Sequence, residues 1–309
     1  MGSTPHDGEA ARGFRIGKLF HLTPLVDSLA DAEFFFNTVF APVCMMRNYS
    51  SHWHRHAAIY VIADLSIEPM QPLAFEDGRP DTSWYRYMDR YGPHIHNMAF
   101  YVDDPSALAE HLERAGVRTT DGGAPGGTVF AHPKDTPGML EFSESGGRFP
   151  WERMDPRFAP TWKAFRDDYW PNRHPLGLER LSHLTVVVHD VADAARFYTD
   201  VLGARALDGQ ESTVPEADAA FVLVGEDTVL ELVHPRDPES VAGRELASVG
   251  QCVVAVTFRV RDLARAEEFL RQRELPVVGM SDHMVSLDRA RTWNTDYRFT
   301  DRSLAGDPR

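Results

Sequence analysis

Hydrophobic and polar positions along the chain repeat one pattern four times: an apolar strand-like run, an acidic turn, and apolar residues spaced three and four apart. The first copy is His21-Leu22-Thr23-Pro24-Leu25-Val26-Asp27 followed by Leu29 to Phe40. The second is Asn97 to Asp104 followed by Pro105 to Ala115, the third His183 to Asp190 followed by Val191 to Leu202, and the fourth Ala255 to Asp262 followed by Leu263 to Arg273. In each copy an Asp stands at or beside the helix start, where it caps free amide groups and meets the positive end of the helix dipole. Short β-like runs come next, among them Ala57 to Leu65, Thr128 to Ala131, Ala219 to Val224, Val229 to Val233 and Met284 to Leu287. The pattern predicts an α+β fold built from a βαβββ unit used four times.

Between the second and third copies the period is lost. Gly146 to Glu179 is rich in Pro, Gly and aromatic residues, including Trp151, Trp162 and Trp170, which marks a linker that packs down on its neighbours. The expected organisation is a disordered tail over 1–16, a first domain over 17–145, the linker over 146–178 and a second domain over 179–303. A chain of 309 residues is long enough for each of two domains to bury its own core.

Composition narrows the function. The net charge of −14 and the lack of a basic cluster argue against a nucleic-acid partner. No run of 18 apolar residues exists, and the first residues lack the pattern of a secretory signal, so a cytoplasmic protein without a membrane span is expected. Two cysteines, Cys44 and Cys252, make no disulfide framework.

Histidines and carboxylates recur in step with the repeat. Glu68, Glu141 and Glu231 each sit among apolar neighbours near the end of a copy, where an unpaired carboxylate is costly to bury. His21 precedes Glu68 by 47 residues, His96 precedes Glu141 by 45, and His183 precedes Glu231 by 48. Imidazole and carboxylate at repeat-matched places point to a divalent metal ion.

A strand-borne His, an acidic turn, a helix, three strands and an apolar-flanked Glu, repeated in pairs, resembles the vicinal oxygen chelate superfamily of glyoxalase, bleomycin-resistance and extradiol dioxygenase proteins. The resemblance spans about residues 17–301. It implies two glyoxalase-like domains, each a pair of modules folded into a cupped mixed sheet, with a metal ligand from the first and last strand of each module. Carried over, the metal ligands of the first domain are His21, Glu68, His96 or Asn97, and Glu141. Strict register from the anchoring valines puts Asn97 in the ligand slot. A bulge before it would bring in His96, the better ligand, which is preferred on that ground. The second domain keeps His183 and Glu231 but has Ala255 and Arg298 in the other slots, so its site reads as degenerate.

The resemblance implies one divalent ion (Zn, Ni, Co, Mn or Fe) acting as a Lewis acid on a small substrate with adjacent oxygens, in an isomerase, epimerase or lyase. Glu141 or Glu68 would move the proton. One alternative is an Fe(II) ring-cleaving dioxygenase, which needs two His and one carboxylate with open positions. Another is a non-catalytic protein that binds a small molecule. Trp53, His54 and Tyr60 are substrate-pocket candidates if their strand faces the cavity, and the cluster His52 to His56 otherwise reads as solvent-facing. Four modules can pair within one chain, so either a monomer or a homodimer is expected.

Overall fold

The computed structural model describes residues 12–50, 54–73, 82–121, 127–145, 155, 157 and 160–309. The first module comprises β1 (Ile16–Pro24), α1 (Leu29–Phe40), β2 (Val43–Ser50), β3 (Arg55–Ile62), β4 (Leu65–Ile67) and a short β5 (Met70–Pro72). A helix absent from the repeat, α2 (Ser83–Tyr91), leads into the second: β6 (Ile95–Val102), α3 (Pro105–Arg114), β7 (Thr119–Asp121), β8 (Thr128–Ala131) and β9 (Leu140–Glu144). In the linker α4 (Pro160–Ala164) runs on as π-helix over Phe165–Arg173. The third module is β10 (Leu178–Val187), α5 (Val191–Arg196), a π-helical turn over Phe197–Val201, β11 (Arg205–Leu207), β12 (Ala217–Val224) and β13 (Thr228–Pro235). After α6 (Val241–Ser248) the fourth is β14 (Cys252–Val260), α7 (Leu263–Gln272), β15 (Val277–Ser281), β16 (Met284–Leu287) and β17 (Asp296–Thr300).

The acidic turns serve as helix caps. Asp104, Asp190 and Asp262 accept from the amides of Ala107, Asp193 and Arg265 at 2.9, 2.8 and 3.0 Å. In the first module the cap is Ser28, bonded to the Asp31 amide, while Asp27 instead accepts from the Trp293 indole of the other domain.

Each domain is one mixed sheet. The orders are β2-β3-β4-β1-β6-β9-β8-β7, with β5 on β3, and β11-β12-β13-β10-β14-β17-β16-β15. Within every module the first strand pairs in parallel with the last, and the two modules join through antiparallel first strands. This topology brings the first- and last-strand positions of both modules to the middle of the sheet. The domain architecture is therefore α+β, with two halves of like strand order.

The main apolar core is continuous across both halves. Phe40 of α1 packs on Phe258, Tyr297 and Phe299 of the C-terminal sheet at ring separations of 5.3, 5.9 and 6.1 Å. Linker side chains fasten the same seam. Trp162 donates to the carbonyl of Ala63 and Trp170 to that of Phe40. Asp155 and Arg157 form a buried ion pair at 2.6 Å whose guanidinium also reaches the carbonyls of Phe20 and Asp64, the extra bonds that a buried pair needs. Among the described residues no helix is long and apolar enough to cross a membrane. The first eleven positions of the expected tail lie outside the described residues.

Candidate active site

Register explains which side chains meet. His21 on β1 pairs with Ala99 on β6, and Ala99 with Glu141 on β9, so His21 and Glu141 share a face of the sheet. Glu68 follows β4, its amide held by the carbonyl of Leu22 at 2.7 Å. Asn97 pairs with Thr23, one period along the same face. These residues line a cavity of about 180 Å³ walled by Phe20, Met46, Ile59, Met70, Trp84 and Phe130.

His21 Nε2 lies 3.3 Å from Glu68 Oε2 and 3.8 Å from Glu141 Oε2. Its Nδ1 is buried without a hydrogen-bond partner among the described residues. Glu141 Oε2 accepts from Asn97 Nδ2 at 2.8 Å and its Oε1 from Ser143 Oγ at 3.3 Å. Burial pushes the Glu141 carboxyl above its ordinary value, and the nearby Glu68 adds to this against the pull of His21 and Arg55. Arg55 Nη2 stands 3.5 Å from Glu68 Oε1, its guanidinium over the Trp84 ring at 5.4 Å.

Asn97, rather than His96, faces this cavity. β6 does have an irregularity here: Thr23 pairs with Asn97 and Pro24 with Ile95, leaving His96 as the extra residue. The kink turns His96 toward a different cavity, between the domains, where its ring meets that of Tyr87 at 4.9 Å. Its Nδ1 bonds Asn97 Oδ1 at 2.9 Å, so His96 touches the site through Asn97. Burial lowers its pKa to about 4, against the Asn97 bond. Tyr60 points to α1, its hydroxyl donating to Glu33 at 2.8 Å, because its place on β3 puts it on the core face. His54 sits in a left-handed turn before β3 and does not line the cavity. Trp53 lies outside the described residues.

Arg55 and Trp84 escaped the sequence reading. The signal for Arg55 was the alternation of β3, on which positions 55 and 59 share the cavity face. For Trp84 it was the aromatic stripe Trp84, Tyr87, Met88, Tyr91 behind the Thr82 cap.

The donor chemistry, one imidazole and two buried carboxylates on one cavity, suits a divalent ion. Among the described residues, however, no group of three or more His, Cys, Asp and Glu side chains is drawn together tightly enough to form a cage. Asn97 and Ser143 hold Glu141, and Arg55 faces Glu68.

The C-terminal half repeats the row with different contents. His183 pairs with Thr257 and Thr257 with Arg298. Glu231 is completely buried and accepts from Thr185 Oγ1, Ser212 Oγ and both the amide and hydroxyl of Thr213 at 2.5 to 3.2 Å. Arg298 donates to Thr213 Oγ1 at 3.1 Å and to Asp296 at 2.7 Å. His183 Nε2 stays 3.6 Å from Glu231, and burial, only partly offset by Glu231, lowers its pKa to about 4.

Residues 180–303 match the family described as Glyoxalase/Bleomycin resistance protein/Dioxygenase superfamily. No curated protein sequence matches the chain. Among solved structures, a triple mutant of 4-hydroxymandelate synthase from Streptomyces coelicolor superposes over 94% of this chain and 94% of its own, with a TM-score of 0.64 at 15% identity. Methylmalonyl-CoA epimerase from Mycobacterium tuberculosis covers 40% of this chain and 87% of its own, with a TM-score of 0.37 at 21% identity. The chain therefore shares the two-domain fold of the synthase structure, and its residues 180–303 match the glyoxalase, bleomycin resistance protein and dioxygenase family model.

Proposed function

We propose that the N-terminal cavity is the active site of a metal-dependent isomerase, epimerase or lyase acting on a small molecule with adjacent oxygens. The observation that carries this reading is the convergence of His21 of β1, Glu68 just after β4 and Glu141 of β9 on one cavity. His21, Glu68 and Glu141 are the residues that would hold the ion, and Asn97 stands beside them. A bound divalent ion supplies Lewis-acid polarisation of the substrate's oxygens.

The proton falls to Glu141. Asn97 Nδ2 pins Oε2 with the shorter bond, leaving Oε1, held only by the 3.3 Å contact from Ser143, to take a proton and return it. Burial and the neighbouring Glu68 favour the protonated carboxyl. Arg55 Nη2, 3.5 Å from Glu68 Oε1, is the cationic partner of the other carboxylate. Phe20, Trp84 and Phe130 give the cavity apolar surface beside the carboxylates. A ring-cleaving dioxygenase is supported less well, since it needs two imidazoles on the cavity and His96 lines another one.

The test is the metal content of protein purified without added metal or chelator, beside His21→Ala and Glu141→Ala. Roughly one equivalent of Zn, Ni, Co or Mn, lost in both variants and without oxygen uptake, is the expected result. Iron with oxygen consumption would shift the assignment to the dioxygenase. Absence of metal even after reconstitution would leave a small-molecule-binding protein.

A further inference from the structure

The C-terminal cup is closed to a cation but not saturated. Across β10, β14 and β17, His183, Thr257 and Arg298 stand side by side in register, and all three are more than nine-tenths buried. Each keeps a polar atom with no hydrogen-bond partner among the described residues: His183 Nε2, Thr257 Oγ1 and Arg298 Nε. Buried polar groups left unpaired are costly and therefore rare. Arg298 Nε can only donate, Thr257 Oγ1 can donate, and His183 Nε2 can donate when Nδ1 accepts from Ser182 Oγ at 3.1 Å. His183 Nε2 has Glu231 Oε2 3.6 Å away, whereas Arg298 is the one of the three that lines a cavity, and the fitting acceptor for a guanidinium is an anion.

Arg298 also lines a cavity of about 420 Å³ on the same domain. Its other walls include Val214, Val254, Met280 and Leu287, with the half-exposed Val241 and Val278. Val214 and Val254 belong to an apolar cluster separate from the main core. The acids on the cavity are already matched. Asp296 lies between Arg298 at 2.7 Å and Arg289 at 3.8 Å, and Asp288 caps the amide of Ala290. Glu231 is taken up by its four hydroxyl and amide donors.

We propose that the C-terminal cup is a metal-free binding site for a small apolar carboxylic acid, its carboxylate received by Arg298 and its apolar body by the cavity beside β15, β16 and β17. This is independent of the reaction assigned to the N-terminal cavity. It follows from a reversal of charge: the position held by Glu141 in one sheet is held by Arg298 in the other.

The test is calorimetric titration of the full chain with hexanoate, 4-phenylbutyrate and indole-3-acetate, each beside its neutral amide. Saturable binding of at least one acid, with the amide at least about tenfold weaker, is expected. Met280→Trp, a change at a partly exposed position on the β15 edge that fills the cavity, should weaken the acid by about tenfold or more. Arg298→Gln should equalise acid and amide, and Met280→Trp keeps the proposal testable if Arg298→Gln does not fold. Equal binding of acid and amide by the unaltered chain, binding untouched by Met280→Trp, or no binding of any of the three acids would each overturn the proposal.

Discussion

The two sheets of this chain place a His on a first strand and a Glu on a last strand at matching positions, yet His21 with Glu68 and His183 with Glu231 have opposite fates. In the N-terminal sheet Glu68 and Glu141 line an open cavity with few hydrogen bonds, and the third member of the row is a small Ala99. In the C-terminal sheet Glu231 is surrounded by hydroxyl and amide donors, Thr257 replaces the alanine and Arg298 replaces the second carboxylate. One half leaves its buried carboxylates on a cavity, where the proposed function places a cation. The other matches its carboxylate internally with hydroxyl and amide donors and adds a guanidinium. The difference shows how a repeated fold keeps its register while a single residue at the last-strand position, Arg298 for Glu141, balances the remaining carboxylate.

The comparison can be broken most forcefully at Glu231. Glu231→Ala strips a partner from four buried donor groups and should cost about 3–5 kcal/mol in urea unfolding. A loss under about 1 kcal/mol would mean that this half is not locked in the way described.

The pH dependence comes next. An ordinary imidazole titrates near 6.5, and His183, buried, is lowered to about 4. Below pH 6.5 the unfolded chain binds the proton that the folded chain refuses, so stability present at neutral pH falls as the pH drops towards 4. The loss from His183 should approach about 3 kcal/mol, and His183→Gln should flatten the melting-temperature profile over that window. Glu141 has the opposite sign, since its raised carboxyl gains a proton more readily when folded. Glu141→Gln should therefore leave the acid limb of the profile as steep as before or steeper.

Smaller still is the effect expected on folding at the open site. Glu141→Gln should change unfolding free energy by no more than about 1 kcal/mol while weakening Mn²⁺ affinity about 100-fold, or about 2.7 kcal/mol. The smallest change is Thr257→Ala, which copies the N-terminal Ala99. It removes a buried hydroxyl without a partner and should move stability by less than about 1 kcal/mol, in the stabilising direction, in a thermal melt.

Much of this contrast is legible along the chain. The four anchoring valines and their acidic turns mark the modules, since helix caps and strand alternation are local effects. Counting back from those valines leads to Asn97, the residue that faces the cavity. Preferring His96 on ligand chemistry set the stronger donor against the two-residue period; Asn97 lies on the regular side of the kink and faces the cavity, while His96 is the extra residue beyond it. Arg298 was visible as a departure at the Glu position, but the hydroxyls of Ser212 and Thr213 that surround Glu231 come from a loop outside the repeat. Arg55 and Trp84 were hidden for a related reason. Trp84 belongs to α2, a helix inserted between modules, and Arg55 to a middle strand of the first. Cavity walls depend on how strands curve, which no spacing in the sequence encodes.

The most direct measurement is a Co²⁺ titration followed by its visible absorption, run on the unaltered chain, Glu141→Gln and Glu231→Gln. The account predicts about one equivalent bound by the unaltered chain, loss in Glu141→Gln and retention in folded Glu231→Gln. Binding that survives Glu141→Gln but disappears in folded Glu231→Gln would put the cation in the other half and contradict it.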